Sequence, residues 1–331
     1  MSGYGLPMDL PRPEAAIRDV ESKAAESRWL AALALAREDG DLRDEALRSL
    51  NHLARDSVAE VRAQALEGLA EQVRRGGCFA AETFRDALRD ESGDVRCAAV
   101  EALDLFSDDF EGELVELLGD DEAAIRAIAA RRLGEAGAAR AADALAERLL
   151  DEDEVVRWEA ALSLAALRDE RACEALVSYL RSNAETAARA ALALGEIGAP
   201  SCVPPLRETA RRRFVGPELR AAAAVALSRC GTGEGNELLG RMLKAPGSRT
   251  RMAALGALAR LPVRGIVAEA GALISARRSL EASLAIETVA LLATCDRGPA
   301  LDELRFRLDG LEGDLGSELR EAIASVEKRA S

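Results

Sequence analysis

Residues 61–69 read Val-Arg-Ala-Gln-Ala-Leu-Glu-Gly-Leu, a nine-residue pattern that recurs along the chain. Its apolar residues occupy the first, fifth, sixth and ninth places, which is the spacing of one face of an α-helix. Close copies begin at Val95, Ile125 and Val156, and looser copies begin at Ser27, Thr186, Leu219, Thr250, Leu284 and Leu319. The ten copies start 30 to 35 residues apart, so each interval has room for one helical hairpin.

We call the helix that carries this pattern helix B, and each interval also contains a second amphipathic stretch, helix A. Leu fills the ninth place of the first nine copies, and Ala is frequent at the fifth and sixth places, where it allows close approach between helices. Examples of helix A are Leu47/Leu50/Leu53, Leu114/Leu117/Leu118, Leu145/Leu149, Leu176/Leu180 and Leu301/Leu304/Leu308. The sequence therefore predicts an all-α fold, an α-solenoid of about ten stacked hairpins.

The ends of the chain differ from the repeats. Residues 1–13 contain three prolines and are predicted to form a flexible N-terminal arm, whereas residues 14–331 are predicted to form a single solenoid. We expect a first helix from about residue 13 to 24 and a polar last helix from Ser317 to Arg329 as caps. The spacing loosens around 203–218, with Pro204-Pro205 and Gly216-Pro217, so we expect a kink there.

The composition excludes several classes of protein. The 331 residues include 44 basic and 58 acidic ones, a net charge of −14 that argues against a general binder of nucleic acid or anionic membranes. No stretch approaches the roughly 18 apolar residues of a membrane helix, and the first residues lack the features of a signal peptide. The six Cys are widely spaced without a C-x-x-C pair. These features predict a cytoplasmic protein whose reduced cysteines pack as small hydrophobic residues.

Charged residues recur at fixed places in the repeat. Arg follows the first residue in eight copies, and Asp precedes it by five places in four central copies. An Asp there can cap the turn between helices A and B, and the Arg fork can bind the Asp or turn carbonyls of a neighbouring repeat. We interpret these residues as a structural ladder that fixes the stacking register, with direct ligand binding by the Arg as the alternative. The ladder comprises Asp56, Arg62, Asp90, Arg96, Asp120, Arg126, Asp151 and Arg157.

The pattern Leu-x-Asp-x-x-x-x-Val-Arg-x-x-Ala-Ala-x-Ala-Leu-Gly resembles the HEAT repeat and is similar to the bacterial HEAT-like repeat of phycobilin lyase subunits. Residues 131–169 match best, and Ala193-Leu-Gly-Glu-Ile-Gly198 is equally typical. The resemblance covers residues 27–327 and implies a solenoid whose B helices line a concave face. It implies little about function, because such repeats serve unrelated tasks. Ala187 and Ala285 replace the Arg in two copies, so we expect the ladder to be interrupted there.

The sequence offers no constellation of catalytic or metal-binding residues. His52, the single His, lies between Leu50 and Leu53 in a predicted A helix, and a His-based triad would need a nucleophile and a carboxylate beside it. The run 151–154 lacks the ligand spacing of an EF-hand loop, and the glycine-rich segment 231–235 has no phosphate-loop spacing and is predicted to be a turn. We therefore expect no catalytic residue, no cofactor and no metal, and a protein that is not an enzyme.

The two Trp of the chain, Trp29 and Trp158, share the third place of the nine-residue pattern. Large apolar side chains at outward places of helix B would form an exposed strip on which a partner protein binds. The alternative is that these side chains fill gaps between repeats. The candidate partner-binding residues are Trp29, Leu30, Leu33, Ile128, Trp158, Leu162, Leu192 and Met252.

The turns between helices A and B are acidic in four successive repeats. We expect them to form an acidic edge that attracts a basic partner surface, with simple solubilising charge as the alternative. This edge includes Asp94, Asp121, Glu122, Asp153 and Glu154. The opposite edge is predicted to be basic and carries Arg74, Arg75, Arg140, Arg168, Arg171 and Arg211 to Arg213.

Together these features predict a non-catalytic protein–protein interaction scaffold or adaptor in a bacterial cytoplasm. Its partner would be another protein with a basic or apolar surface, bound on the concave helix-B face. One alternative is a phycobilin lyase-like or chaperone-like subunit that acts on a chromophore protein. Another is a DNA-binding or base-excision HEAT-like protein, which the net charge disfavours. No membrane partner is expected, and the sequence leaves the oligomeric state open.

Overall fold

The computed structural model describes residues 10–77, 81–106, 110–275, 279–309 and 313–329. Within these ranges the chain forms 20 α-helices, joined by turns and short 3-10 segments, without a β-strand. The predicted all-α fold is therefore confirmed. Most of the predicted N-terminal arm, residues 1–9, lies outside the described residues, as does Cys78.

The helices alternate between A and B along the chain. The A helices are α1 (Pro13–Asp19), α3 (Arg43–Leu53), α5 (Glu82–Ala87), α7 (Glu111–Leu117), α9 (Ala142–Arg148), α11 (Ala172–Tyr179), α13 (Val203–Arg211), α15 (Gly233–Leu243), α17 (Val267–Gly271) and α19 (Arg297–Leu308). The B helices are α2 (Ala25–Leu35), α4 (Ala59–Arg74), α6 (Gly93–Glu101), α8 (Ala123–Glu135), α10 (Glu154–Ala166), α12 (Ala184–Ile197), α14 (Pro217–Arg229), α16 (Ser248–Arg260), α18 (Ser279–Leu292) and α20 (Asp314–Lys328). Each of the first eight B helices begins two residues before its copy of the pattern.

The repeated apolar places form the core. The Leu at the ninth place is buried in all nine copies that have it: Leu35, Leu69, Leu103, Leu133, Leu164, Leu194, Leu227, Leu258 and Leu292. The Ala at the fifth place is fully buried in eight helices: Ala31, Ala65, Ala99, Ala129, Ala160, Ala190, Ala223 and Ala254. Small side chains at this place let adjacent B helices approach closely, so the repeat pattern is a packing pattern.

The chain divides into two compact units, residues 1–160 and 161–331. In the first unit, the B helices α2, α4, α6 and α8 pack in succession, each against its own A helix. In the second unit, α12, α14, α16, α18 and α20 pack in the same order. Its core includes Leu239, Leu255, Val289 and Leu304. Each unit is thus a stack of helical hairpins, which is the α-solenoid architecture. A single solenoid over residues 14–331 and a kink at 203–218 stay predictions.

Several B helices end in a residue with left-handed backbone. Gly137 has φ of 65°, and its N–H bonds the Gly134 carbonyl while the Ala138 N–H bonds that of Leu133. This pair of hydrogen bonds is the Schellman motif, a common C-terminal ending of α-helices. Arg168 takes the same place after α10, with φ of 59°, and is the one non-glycine residue with positive φ in the described ranges.

The structure corrects three predicted boundaries. Helix α1 ends at Asp19, short of the predicted residue 24, because the chain turns at 20–24 and brings the Ser22 carbonyl to the Arg28 side chain. Helix α20 begins at Asp314, three residues before the predicted start. The segment 231–235, predicted as a turn, turns only at its first two residues, since α15 begins at Gly233.

Candidate partner-binding surface

Four Arg–Asp pairs join successive repeats of the first unit. Each Arg donates from Nε and Nη2 to the two carboxylate oxygens of an Asp in the next repeat, at 2.6–2.9 Å. The pairs are Arg28–Asp56, Arg62–Asp90, Arg96–Asp120 and Arg126–Asp151. Their side chains are at most 15% exposed, so these are bidentate ion pairs largely removed from water.

The same residues make two further contacts that link one pair to the next. Arg126 Nη1 donates to the Asp120 carbonyl at 2.9 Å, and the Asp120 carboxylate accepts the Glu122 N–H at 2.9 Å. Arg157 repeats the first contact with the Asp151 carbonyl at 2.7 Å. The structure thus brings the eight predicted ladder residues together in one continuous network, with Arg28 as an additional member.

The network holds its carboxylates in the charged form. Burial alone would raise the pKa of Asp120, but hydrogen bonds from Arg96 and the Glu122 N–H, with the charges of Arg96 and Arg126, hold that pKa below its usual value. The same balance lowers the pKa of Asp56 and Asp90. For Asp151, the hydrogen bond from Arg126 is the largest cause of its lowered pKa. These carboxylates therefore serve to hold neighbouring repeats together.

The second unit contains a variant of these Arg–carboxylate contacts between successive repeats. Arg251 donates from Nη2 to both oxygens of Glu281 at 2.9 Å and from Nη1 to the Ala245 carbonyl at 2.7 Å. Ser248 also donates to Glu281. Glu281 lies in the first turn of α18, at a different place in the repeat from the Asp residues of the ladder. Because it departs from their spacing, the sequence pattern did not predict this pair.

A groove lies on the B helices α2, α4 and α6 of the first unit and has a volume of about 240 Å³. We call it the acidic groove, because four exposed carboxylates line it: Glu60, Glu67, Asp94 and Glu101. Trp29 and Ala63 also line it. Among the residues that the structure describes, none of the four carboxylates lies within ion-pair distance of an Arg or Lys.

The carboxylates of the acidic groove act on one another. Desolvation in the groove raises the pKa of Glu67; a hydrogen bond from Gln64 at 3.1 Å opposes this change, and the charge of Glu101 adds to it. Desolvation and nearby carboxylates, Glu101 and Asp94 foremost, also raise the pKa of the Cys97 thiol. A positive group placed in the groove would be attracted by all of these charges.

A second groove occupies α12, α14 and α16 of the second unit and measures about 320 Å³. We call it the apolar groove, because Leu192 and Met252 line it together with several Ala residues. Both side chains are partly buried. An ion pair between Arg249 Nε and Glu218 Oε1, at 2.9 Å, lies beside them. The structure therefore brings two of the predicted partner-binding residues into one site.

The predicted exposed strip is corrected by the burial of its members. Trp29 is only 4% exposed, although it lines the acidic groove together with residues of α4 and α6. The remaining strip residues outside the apolar groove are partly buried: Leu30, Leu33, Ile128, Trp158 and Leu162. In the described ranges the exposed large apolar side chains are instead Leu150, Val155, Phe214, Leu280 and Phe306, which lie outside the apolar places of the pattern.

The predicted acidic edge is solvent-accessible. Asp94, Asp121, Glu122 and Glu154 are exposed, whereas Asp153 is partly buried and accepts the Val155 N–H at 2.8 Å at the start of α10. The predicted basic edge is less strongly charged than expected, because local carboxylates pair with its members. These pairs are Arg75–Glu71, Arg171–Asp169 and Arg211–Glu234, at 2.5–2.9 Å.

The candidate chemistry outside these surfaces is sparse. His52 is exposed, and its Nε2 lies 3.4 Å from Glu21 Oε1. Across the described residues, no group of three or more His, Cys, Asp or Glu is placed to hold a metal ion. The helices of the same ranges are all too short or too polar to cross a membrane.

The family model for HEAT repeats matches residues 81–164, 111–187 and 181–259. These overlapping matches cover more than half of the chain and coincide with consecutive A–B hairpins of both units. The chain therefore belongs to the HEAT-repeat family, as its sequence pattern indicated. No curated protein matches it.

Solved structures share this fold. The Escherichia coli protein YibA is 25% identical, with a TM-score of 0.59 over 65% of this chain and 81% of that one. An engineered protein is 20% identical, with a TM-score of 0.51 over 95% of this chain and 98% of that one. The CpcE–CpcF complex of phycocyanin lyase from Nostoc is 22% identical, with a TM-score of 0.44 over 76% and 96% of the two chains. The first two likenesses show the α-solenoid fold.

Proposed function

We propose that this HEAT-repeat protein is a non-catalytic interaction scaffold that binds a basic segment of a partner protein in the acidic groove. One observation carries the proposal: in the described part of the chain, the four carboxylates around the groove have no Arg or Lys partner. Stacked repeats present extended surfaces of successive helices, which suits them to bind a peptide segment.

The contrast with the ladder supports this assignment. In the same unit, the Asp residues of the ladder are each bound by an Arg fork and lie largely out of water. The groove carboxylates line one cavity, and Glu67 and Glu101 repel each other. Binding of an Arg or Lys side chain would replace this repulsion with an attraction, so it would be favoured by the charges already in place.

The acidic edge would assist the encounter. Asp121, Glu122 and Glu154 are exposed and extend the negative surface of the same unit. Long-range attraction of this kind raises association rates and weakens as salt increases. We therefore expect binding of a basic segment to weaken as salt rises.

The test measures binding of short fluorescent peptides rich in Arg and Lys, in Glu, or in neutral residues, by anisotropy. We expect the basic peptide to bind and the double variant Glu67→Gln, Glu101→Gln to weaken that binding by about tenfold, equivalent to 1.4 kcal/mol. The matched control, Asp121→Asn with Glu154→Gln, removes the same charge from the acidic edge and should keep most of the affinity.

Two results would contradict the proposal. One is equal binding of the three peptides, and the other is an equal loss of affinity in the groove and edge variants. Trp29→Ala is unsuitable as a binding test, because its buried indole contributes about 3 kcal/mol or more to stability and its loss would disturb the whole site.

A further inference from the structure

Two cysteine sulfurs of the second unit are in contact across successive repeats. Cys173 lies on α11, and Cys202 ends the short 3-10 segment Pro200–Cys202 that leads into α13. Their Sγ atoms are 2.8 Å apart, and both cysteines are free. This separation exceeds the disulfide bond length of about 2.05 Å but brings the two sulfurs within reach of bond formation.

The two thiols differ in accessibility. Cys202 is fully buried, whereas Cys173 is partly buried. Burial, the hydrogen bond with Cys173 and the neighbouring thiols of Cys173 and Cys230 raise the pKa of Cys202 to about 12. A dissolved oxidant therefore reaches Cys173 first, and the Cys202 sulfur is in contact with the Cys173 sulfur.

We propose that Cys173 and Cys202 form a dithiol site that an oxidant of the peroxide class converts to a disulfide. In the first step, the Cys173 sulfur attacks one peroxide oxygen, the O–O bond breaks, and a sulfenic acid and one water form. In the second step, the Cys202 sulfur attacks the Cys173 sulfur, the S–O bond breaks, and the oxygen leaves as a second water. The two thiols lose two electrons and two protons, which reduce the peroxide to water.

The bond would link neighbouring hairpins. Cys173 belongs to the hairpin of α11 and α12, and Cys202 directly precedes the hairpin of α13 and α14, 29 residues further along the chain. A covalent link over this distance restricts the unfolded chain more than the folded one. Oxidation should therefore raise the temperature at which the second unit unfolds, and a dithiol reductant should reverse the change.

The test treats the full-length protein with hydrogen peroxide, alkylates the remaining thiols and maps peptides without reduction. We expect a linked Cys173–Cys202 peptide, with two of the six thiols protected from alkylation. Oxidised and reduced samples are then compared by thermal unfolding, and the oxidised sample should unfold at the higher temperature.

The variant Cys173→Ser should lose both the linked peptide and the temperature shift, and its partly buried position makes folding tolerant of the change. Cys97→Ser, at another partly buried thiol, should keep both. Oxidation of Cys173 to sulfinic acid without a link to Cys202, or a link between Cys202 and Cys230 in its place, would overturn the proposal.

Discussion

Asp120 shows how much one side chain does in this structure. Its carboxylate accepts two hydrogen bonds from Arg96 and one from the Glu122 N–H, and its carbonyl accepts a bond from Arg126. Asp120 therefore connects α6, the turn between α7 and α8, and α8 itself. Since the side chain is only 6% exposed, water cannot replace these bonds easily.

Replacing Asp120 with Ala should reduce the free energy of unfolding by about 2 to 3 kcal/mol, because the partly buried guanidinium of Arg96 loses its carboxylate. Asp121→Ala, at the next residue, is the matched control and should change stability by less than about 0.5 kcal/mol, since that side chain is exposed. Urea unfolding measures both. Equal losses in the two variants would show that the pair contributes no more than general charge.

Arg168 and Gly137 both follow the end of a B helix with left-handed backbone, but one has a side chain and the other does not. Arg168→Gly should stabilise the protein by about 0.5 to 1 kcal/mol, because a side chain disfavours left-handed backbone by more than glycine's extra freedom does. Gly137→Ala should destabilise it by about 1 kcal/mol through the backbone alone, since no neighbouring atom lies within 4 Å of the added Cβ. Thermal unfolding of the two variants should give shifts of opposite sign, and a shift of the same sign would refute this account.

Residue-level features differed in how far they could be predicted. The Arg–Asp pairs were accessible from sequence, because charged residues at fixed places in a repeat meet when the repeats stack. The burial of Trp29 was not, because it depends on the neighbouring repeats, whose residues line the same groove and do not appear in the pattern of a single helix. The pairing of Glu281 with Arg251 was missed because Glu281 departs from the spacing of the Asp residues.

At the scale of helices, the contact between α14 and α15 is set by Gly235. A Cβ at this position would collide with the Ser228 backbone nitrogen and the Ala224 carbonyl oxygen of α14. Backbone atoms inside a helix cannot move aside as a flexible side chain can. The close approach of these two helices therefore requires glycine.

Gly235→Ala should reduce the free energy of unfolding by about 3 kcal/mol, because α15 must move away from α14. Gly233→Ala, two residues earlier in the same helix, meets no atom within 4 Å and should leave stability unchanged or raise it by up to about 1 kcal/mol. Denaturant unfolding compares the two variants. A similar effect at both positions would mean that helix propensity, and not the collision, governs α15.

The B helices were predicted closely because their nine-residue pattern combines periodic burial with a fixed Leu. The A helices were less regular: α17 has only five residues and continues as a 3-10 segment. The Cys173–Cys202 contact has a signal in the sequence, although the two cysteines form no short motif. Their spacing of 29 residues is close to one repeat, and residues one repeat apart lie side by side in a stack.

For the molecule as a whole, the ladder makes stability depend on acid pH. The pKa values of Asp56, Asp90, Asp120 and Asp151 are below the ordinary value of 3.8 in the folded protein. Unfolded chains therefore bind protons at higher pH than the folded protein does. The resulting stability is fully present above the unfolded pKa of about 4 and is lost as pH falls through the lower folded values.

We expect the unfolding temperature to be nearly constant from about pH 7 to 5 and to fall steeply below about pH 4. Circular dichroism at a series of pH values measures this. The variant Asp120→Asn should unfold at a lower temperature at neutral pH and show a shallower decline in acid, because one titrating group of the ladder is absent. An unfolding temperature independent of pH down to about pH 3 would contradict the assignment of the ladder as a source of stability.

The acidic groove was missed from the sequence, because its carboxylates come from two neighbouring helices, α4 and α6, and lie at two different places in the repeat. Glu67 and Glu101 occupy the seventh place, whereas Glu60 and Asp94 precede the pattern. The sequence showed the acidic turns but not their continuation onto the helix-B face. Only the stacking of α2, α4 and α6 places these charges around one cavity.

Because the ladder repeats the same contacts, the number of repeats can change without changing how neighbouring repeats are held together. If residues 91–120 were removed, Asp90 would be followed directly by Asp121 and Glu122, the same neighbours that follow Asp120. Arg62 would keep its carboxylate partner, and the carbonyl six residues before Arg126 would again belong to an Asp. Every joint in this unit is a copy of the others, so whole repeats can be lost or duplicated while the remaining joints keep the same chemistry. The acidic groove combines residues of α2, α4 and α6, so the loss or duplication of a repeat there would change which residues line it.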